Sequence, residues 1–201
     1  MSLVLTADHR YILDGRELPS VTHVINGVMP PRECDPWYLS RGSALHAAIH
    51  LEAAGTLDHE TLDPAYLRKF TAFERFRAEV KPEFIVLEEQ LASKRYNFAG
   101  TVDAVARIGE YHAIIDWKSS IQPTVDLQLG GYSILLCENC RPVRRAVAVE
   151  LKNDGTFGMR PLAESELAKA ERIFLATLSV YGWMRKNGII KRTATGREGK
   201  Q

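Results

Sequence analysis

The feature that most limits what this chain can fold into is a pair of apolar segments, Phe98–Ile108 and Tyr111–Lys118, that carry charge within them. Only Gly109 and Glu110 stand between the two, a polar pair suited to a tight hairpin. Val105, Ile108, Ala113, Ile114 and Ile115 make the pattern of strands buried on both faces, where a charged side chain needs a reason to be present. Side chains alternate along a strand, so Asp116 and Lys118 share a face while Trp117 points away. If Asp103 lies on the facing side of the neighbouring strand, two carboxylates and one ammonium converge on a small volume. Two acids held that close repel each other and call for a cation between them, and a hard divalent metal is the natural candidate. A lysine beside such an ion suits phosphodiester hydrolysis. The plain alternative for Asp-x-Lys is a solvated strand edge, and the aliphatic run leading into it argues against that.

The segment after the pair, Asp126–Leu136, has a helical pattern despite Gly130 and Gly131, and it places Gln128 and Tyr132 on one face. Each glycine costs a helix about 1 kcal/mol against alanine, a cost that makes sense if the helix passes close to the sheet or to a substrate backbone. Elsewhere, residues 3–25 read as a short hairpin with an Asp14-Gly15 turn and an extended stretch from Val21 to Ile25. Residues 26–40 read as a loop, and a helix runs from about Ser43 to Ala54. A second helix starts at Asp63-Pro64 and stops before Lys81-Pro82, with Tyr66, Phe70 and Phe73 as a core stripe. Phe84–Ala92 is a strand, Asn153-Asp154-Gly155 turns a further hairpin, and a last helix spans about 163–187. The expected organisation is a single domain over 1–190, followed by a polar, disordered tail over 191–201. The fold class is α/β with a central mixed β-sheet flanked by helices.

Taken in order, Gly100-x-x-Asp103, Asp116-x-Lys118 and Gln128-x-x-x-Tyr132 resemble the PD-(D/E)XK nuclease superfamily, in its RecB-like and phage exonuclease-like branch. Arg41-Gly42-x-x-x-His46 is similar to that branch's first-helix motif, and Leu18-Pro19-Ser20-Val21-Thr22 to the N-terminal signature of its small phage members. No one motif is specific, whereas five in this order and spacing are. Val102 stands where the superfamily's name has a proline, as is usual in the RecB-like branch. The resemblance implies a restriction-endonuclease-like core and a Mg²⁺- or Mn²⁺-dependent deoxyribonuclease of recombination or repair, working from the ends of linear DNA. It implies Asp103, Asp116 and the Trp117 carbonyl as metal ligands, His46 as a metal or phosphate contact, Lys118 as the residue that holds or polarises the attacking water, and Arg41 as a substrate contact, while Gln128 and Tyr132 either bind a DNA phosphate as substrate contacts or position Lys118 and a metal-bound water. Glu88 would be the third acid, because the family places an acid five residues before a serine and Ser93 fits. Its neighbour Glu89 would face the other way.

Other readings remain beside this one. A structure-specific or restriction-type endonuclease could use the same site, and so could a non-cleaving DNA-binding subunit, although intact Asp103, Asp116 and Lys118 argue against the last. His46 and His50 fall at i, i+4 as in a zinc site, but neither the intervening Glu of the protease motif nor a third ligand is apparent. Some relatives hold an iron–sulfur cluster, but Cys34, Cys137 and Cys140 are too few for four thiolates, so no cluster is expected. Length and a 45% apolar content suffice for a proper core. A reduced, cytoplasmic setting is expected, with no membrane span. The net charge of +1 means that any DNA contact rests on local clusters. Arg68, Lys69, Arg75, Arg77, Arg141, Arg144 and Arg145 are the candidates, with a homo-oligomer enclosing the strand as one arrangement.

Overall fold

The hairpin at the centre of the sequence is also the centre of the fold. In the computed structural model, which describes residues 2–30 and 36–190 (with side chains of the helix after residue 36 from Ala44 onward), β5 (Phe98–Ile108) and β6 (Tyr111–Lys118) pair antiparallel. The turn between them is eased by Gly109 at φ +60°. β4 (Glu83–Ser93) flanks β5, and β7 (Arg145–Leu151) and β8 (Phe157–Leu162) complete a five-stranded sheet in the order β4-β5-β6-β7-β8. Only β6 and β7 run parallel, joined by the crossover helix α4 (Val125–Glu138), so the sheet is mixed.

Both faces of the sheet are covered, which is why its strands read as continuous apolar runs. On one face Val102 and Ile114 pack under α1 (Val21–Val28), α4 and α5 (Glu164–Lys186), through Val24, Leu129, Leu135 and Phe174. On the other, Ile115, Trp117 and Val149 pack under α2 (Pro36–Ala53) and α3 (Leu67–Val80), through Ile49, Phe70, Phe73 and Phe76. The aromatic stripe of α3 is therefore core. A small antiparallel sheet, β1 (Leu3–Leu5), β2 (Tyr11–Leu13) and β3 (Arg16–Leu18), joins the main one through a bridge between Ser20 and Ala99.

The expected extended stretch at Val21–Ile25 is instead helical, as α1. Ser20 caps it by accepting the His23 N–H at 3.0 Å, and Val21, Val24 and Ile25 are buried at helical spacing. The β-branched residues favour strand locally, and burial of that stripe overrides them. The expected loop over 26–40 is likewise shortened from both ends. α2 begins at Pro36 rather than near Ser43, because proline's fixed φ suits a first helical turn. Residues 31–35, Cys34 among them, and the tail 191–201 lie outside the described residues.

The two glycines of α4 make room for neighbouring helices. A Cβ at Gly130 would meet the α5 backbone at 2.5 Å from the Ala170 carbonyl carbon, and one at Gly131 would meet Val21 at 2.9 Å. Backbone cannot yield as a side-chain tip can. Gly130→Ala should therefore destabilise the protein by about 1–3 kcal/mol although alanine is the better helix former, as read by urea unfolding. Equal or greater stability would show that α4 and α5 can separate at no cost.

Candidate active site

β5 and β6 stop pairing after Ala104 and Ile115, and the site occupies the fork that this leaves. Asp103, the next residue of β5, turns its carboxylate into the gap and accepts the backbone N–H of Trp117 at 2.9 Å. Asp116 and Lys118 share one face of β6, with Lys118 Nζ 2.7 Å from Asp116 Oδ2. Trp117 points to the other face, where its ring meets Phe73 and Phe76 edge-on at 5.3 Å. The alternation read from the sequence thus holds.

His46 reaches the fork from α2. Its Nε2 lies 3.1 Å from the Trp117 carbonyl oxygen, and its Nδ1 lies 3.4 Å from Asp103 Oδ2 and 4.0 Å from Glu88 Oε1. Glu88 sits on β4 with φ +50°, a left-handed conformation rare outside glycine, and it is this kink that aims the carboxylate at the site. Glu89 faces away and pairs with Arg141. From α4, Gln128 donates to Tyr132 Oη at 2.8 Å and to Asp116 Oδ1 at 3.3 Å. The structure thus brings together His46, Glu88, Asp103, Asp116, Trp117, Lys118, Gln128 and Tyr132. The side chain of Arg41 lies outside the described residues.

The hydroxyls of Tyr11 and Thr101 were not anticipated. They share a 2.7 Å hydrogen bond next to Asp103, and the Glu88 and Asp103 charges help burial to raise the Tyr11 phenol. Their only sequence signal was Thr101 two residues before Asp103, on the same side of β5. His50 stays outside the cluster, its Nδ1 buried without a hydrogen-bond partner. A shared zinc site with His46 gains no support from this placement. Cys137 and Cys140 are exposed free thiols. Of the expected basic path, Arg77 pairs with Glu52, Arg141 with Glu89 and Arg144 with Glu164, while Arg145 lies over the Tyr111 ring. Three of those groups are thus paired with acids on the protein's own surface.

The titrations follow from crowding. Burial alone would lower the His46 imidazole, but the Asp103 carboxylate outweighs it and lifts the group to about 9. Burial raises Glu88 to about 7, helped by the Asp103 charge and opposed by His46. Burial and Asp103 raise Asp116 to about 6 against the pull of Lys118. Asp103 itself is lowered, because the charge and hydrogen bond of His46 overcome its burial. The His46 imidazolium therefore fills the cationic place between Asp103 and Glu88.

That donor set fits a hard divalent cation. One nitrogen of His46 and one oxygen each of Glu88 and Asp103 lie within 4.8 Å of one another. Asp116 Oδ2 is buried beside the Lys118 ammonium and makes no directed hydrogen bond, an oxygen with coordinating capacity left over.

No protein-family model matches this chain, and no curated protein matches it in sequence. Solved structures do. A provisionally named exonuclease from Eubacterium rectale aligns over 92% of this chain and 87% of its own, at 11% identity and a TM-score of 0.51. An alkaline exonuclease from Laribacter hongkongensis aligns over 85% of this chain and 92% of its own, at 13% identity and a TM-score of 0.41. The same enzyme in complex with dAMP aligns over 86% and 94%, at 15% identity and a TM-score of 0.41. The likeness is one of fold. This chain shares with the Eubacterium rectale structure a mixed α/β fold, a five-stranded sheet flanked by helices, as expected from the sequence.

Because metal ligands must shed protons, a cation here competes with those held by His46, Glu88 and Asp116. Those protons are lost as pH rises through about 6, 7 and 9, so divalent-metal affinity should climb across that range. Calorimetry near pH 8, in buffers of different ionisation heat, should detect about one proton released per ion bound. An affinity flat from pH 6 to 9 would place the ion elsewhere.

Proposed function

We propose that this protein is a divalent-metal-dependent nuclease that hydrolyses DNA phosphodiesters, starting from ends. The observation that carries the reading is the fork between β5 and β6, where Asp103, Asp116, Lys118, Glu88 and His46 meet on one small volume. A surface of structural ion pairs does not bury two aspartates beside a lysine and a histidine without a task for them. His46, Glu88, Asp103, Asp116 and the Trp117 carbonyl would hold Mg²⁺ or Mn²⁺. Such an ion, when bound, polarises the phosphoryl oxygen and makes water a better nucleophile.

The chain's own groups do the rest. Lys118 is held by Asp116 with its ammonium at the mouth of the fork, where it orients the attacking water and offsets charge developing on the phosphate. Gln128 fixes Asp116 through Oδ1 and is itself aligned by Tyr132, so the carboxylate's other oxygen stays aimed into the site. The buried base of the site keeps bulk water from screening these charges. In the reaction one water oxygen bonds to phosphorus as one of its O–H bonds breaks, the bond from phosphorus to the sugar oxygen breaks, and the proton that the water gives up to solvent is balanced by the one that the sugar oxygen takes from it.

End-labelled linear DNA and closed circular DNA, each incubated with Mg²⁺ and with EDTA, test the reading directly. Linear DNA should be degraded only with the metal, and circular DNA should be spared. Equal loss of both forms would make the enzyme an endonuclease, and no loss of either would end the nuclease reading. Asp116→Ala should abolish metal binding and activity together. Lys118→Ala should bind metal and lose turnover roughly a hundredfold to a thousandfold. His46→Ala should weaken Mn²⁺ binding by about tenfold or more in calorimetry, while His50→Ala leaves it in place. Wild-type turnover in the Asp116 or Lys118 variant would remove those residues from the mechanism.

A further inference from the structure

A groove of about 1010 Å³ opens beside Tyr11, outside the fork. Its walls come from four places: the β2–β3 face of the small sheet, the β4–β5 turn at Tyr96 and Asn97, the start of α1, and the last turns of α5. Of the motifs read from the sequence, Leu18-Pro19-Ser20-Val21-Thr22 reaches it, through Leu18, Pro19 and Ser20, and that motif assigns it no ligand.

The charges in this groove are unbalanced in a specific way. Its two carboxylates, Asp8 and Glu17, both turn to Arg10, at 2.6 and 3.7 Å. Arg16 meets only the neutral side-chain oxygen of Asn97, at 3.1 Å. Arg185 lies over the Tyr181 ring at 5.8 Å, with His23 edge-on to the same ring at 5.8 Å. Among the described residues neither Arg16 nor Arg185 has a carboxylate partner, and both side chains are exposed. Burial, and after it the Arg185 charge, pushes the His23 imidazole below its ordinary value against the pull of Glu17. On the opposite wall the half-buried Tyr96 offers a ring already partnered by the Arg95 guanidinium at 5.1 Å.

Guanidiniums that lack acids, set along a channel with an aromatic ring, match a phosphodiester backbone whose bases can stack. The volume is at the top of the roughly 300–1,000 Å³ range of small-ligand pockets, which favours an extended occupant over a single small anion. Tyr11 ties the two regions together, since it lines the groove and its hydroxyl bonds Thr101, two residues from Asp103.

We propose that this groove holds a single strand of nucleic acid, with phosphates on Arg16 and Arg185 and a base against Tyr96, leading to or from the Asp103 fork. The placement of the fork at one end of that strand rests on the nuclease reading, and the groove's affinity does not.

Fluorescence anisotropy with labelled oligothymidylates of about four and about twelve nucleotides, in EDTA so that nothing is cut, reads the proposal. The wild-type protein should bind the longer strand more tightly. Arg16→Ala/Arg185→Ala should bind it about tenfold more weakly, with the slope of log affinity against log salt reduced by about 1.4, the share of two phosphates. Arg16→Lys/Arg185→Lys, which keeps the charge, should keep the slope. Both arginines are exposed, so a thermal melt matching wild type is expected of each variant and separates lost binding from lost folding. Unchanged affinity and slope in the alanine variant would overturn the groove while leaving metal-dependent cleavage by the wild type intact. Binding that depends on the two arginines, in a protein that cleaves nothing with Mg²⁺, would sustain the groove and end the nuclease reading.

Discussion

One hydrogen bond organises the site: the Trp117 N–H donated to the Asp103 carboxylate at 2.9 Å. The pairing of β5 and β6 ends at Ala104 and Ile115, one residue short of Asp103 and two short of Trp117. Without a replacement, the Trp117 amide would be left buried and unpaired, at a cost of about 1–3 kcal/mol. Asp103 supplies that replacement from a side chain, and so the strands can separate without losing the backbone account. The gap exists because a carboxylate stands in for a carbonyl. His46 then closes the ring by contacting Asp103 with one nitrogen and the Trp117 carbonyl with the other.

The same economy governs the charges. Buried ions are tolerated only when partnered, and here each has a partner of opposite sign: Asp103 with His46, Asp116 with Lys118. The neutral anchors are just as particular. Trp117 is wedged among Phe73, Phe76 and Phe84, so the strand that presents Asp116 and Lys118 cannot roll without breaking an aromatic cluster. The geometry of the acidic cluster on one face is thereby fixed by packing on the other.

Much of this was legible in the sequence, and for identifiable reasons. Period-two alternation is strict in β6, so the shared face of Asp116 and Lys118 followed from three letters. The hairpin turn at Gly109 and the stripe of α3 were likewise local signals. Glu88 was legible only through the resemblance, because its left-handed backbone breaks the alternation that would otherwise sort it from Glu89. The α1 segment misled because valine, threonine and isoleucine carry strand propensity, and only the burial of Val21, Val24 and Ile25 decides for helix. The reason for the α4 glycines was invisible for another cause: Gly130 makes room for the α5 backbone some forty residues on, and Gly131 for Val21 of α1, more than a hundred residues back.

The contacts that build the fork span long stretches of chain. Trp117 meets His46 across 71 residues, and Thr101 meets Tyr11 across 90. Closing loops of that length costs entropy before any contact rewards it, so folding through such contacts is slow and strongly cooperative. Asp103, Asp116 and Lys118 come together as soon as the β5–β6 hairpin forms, whereas His46 and Glu88 join them only once α2 and β4 have docked on it, so the ring of charges closes last from the two ends that are farthest away in the chain.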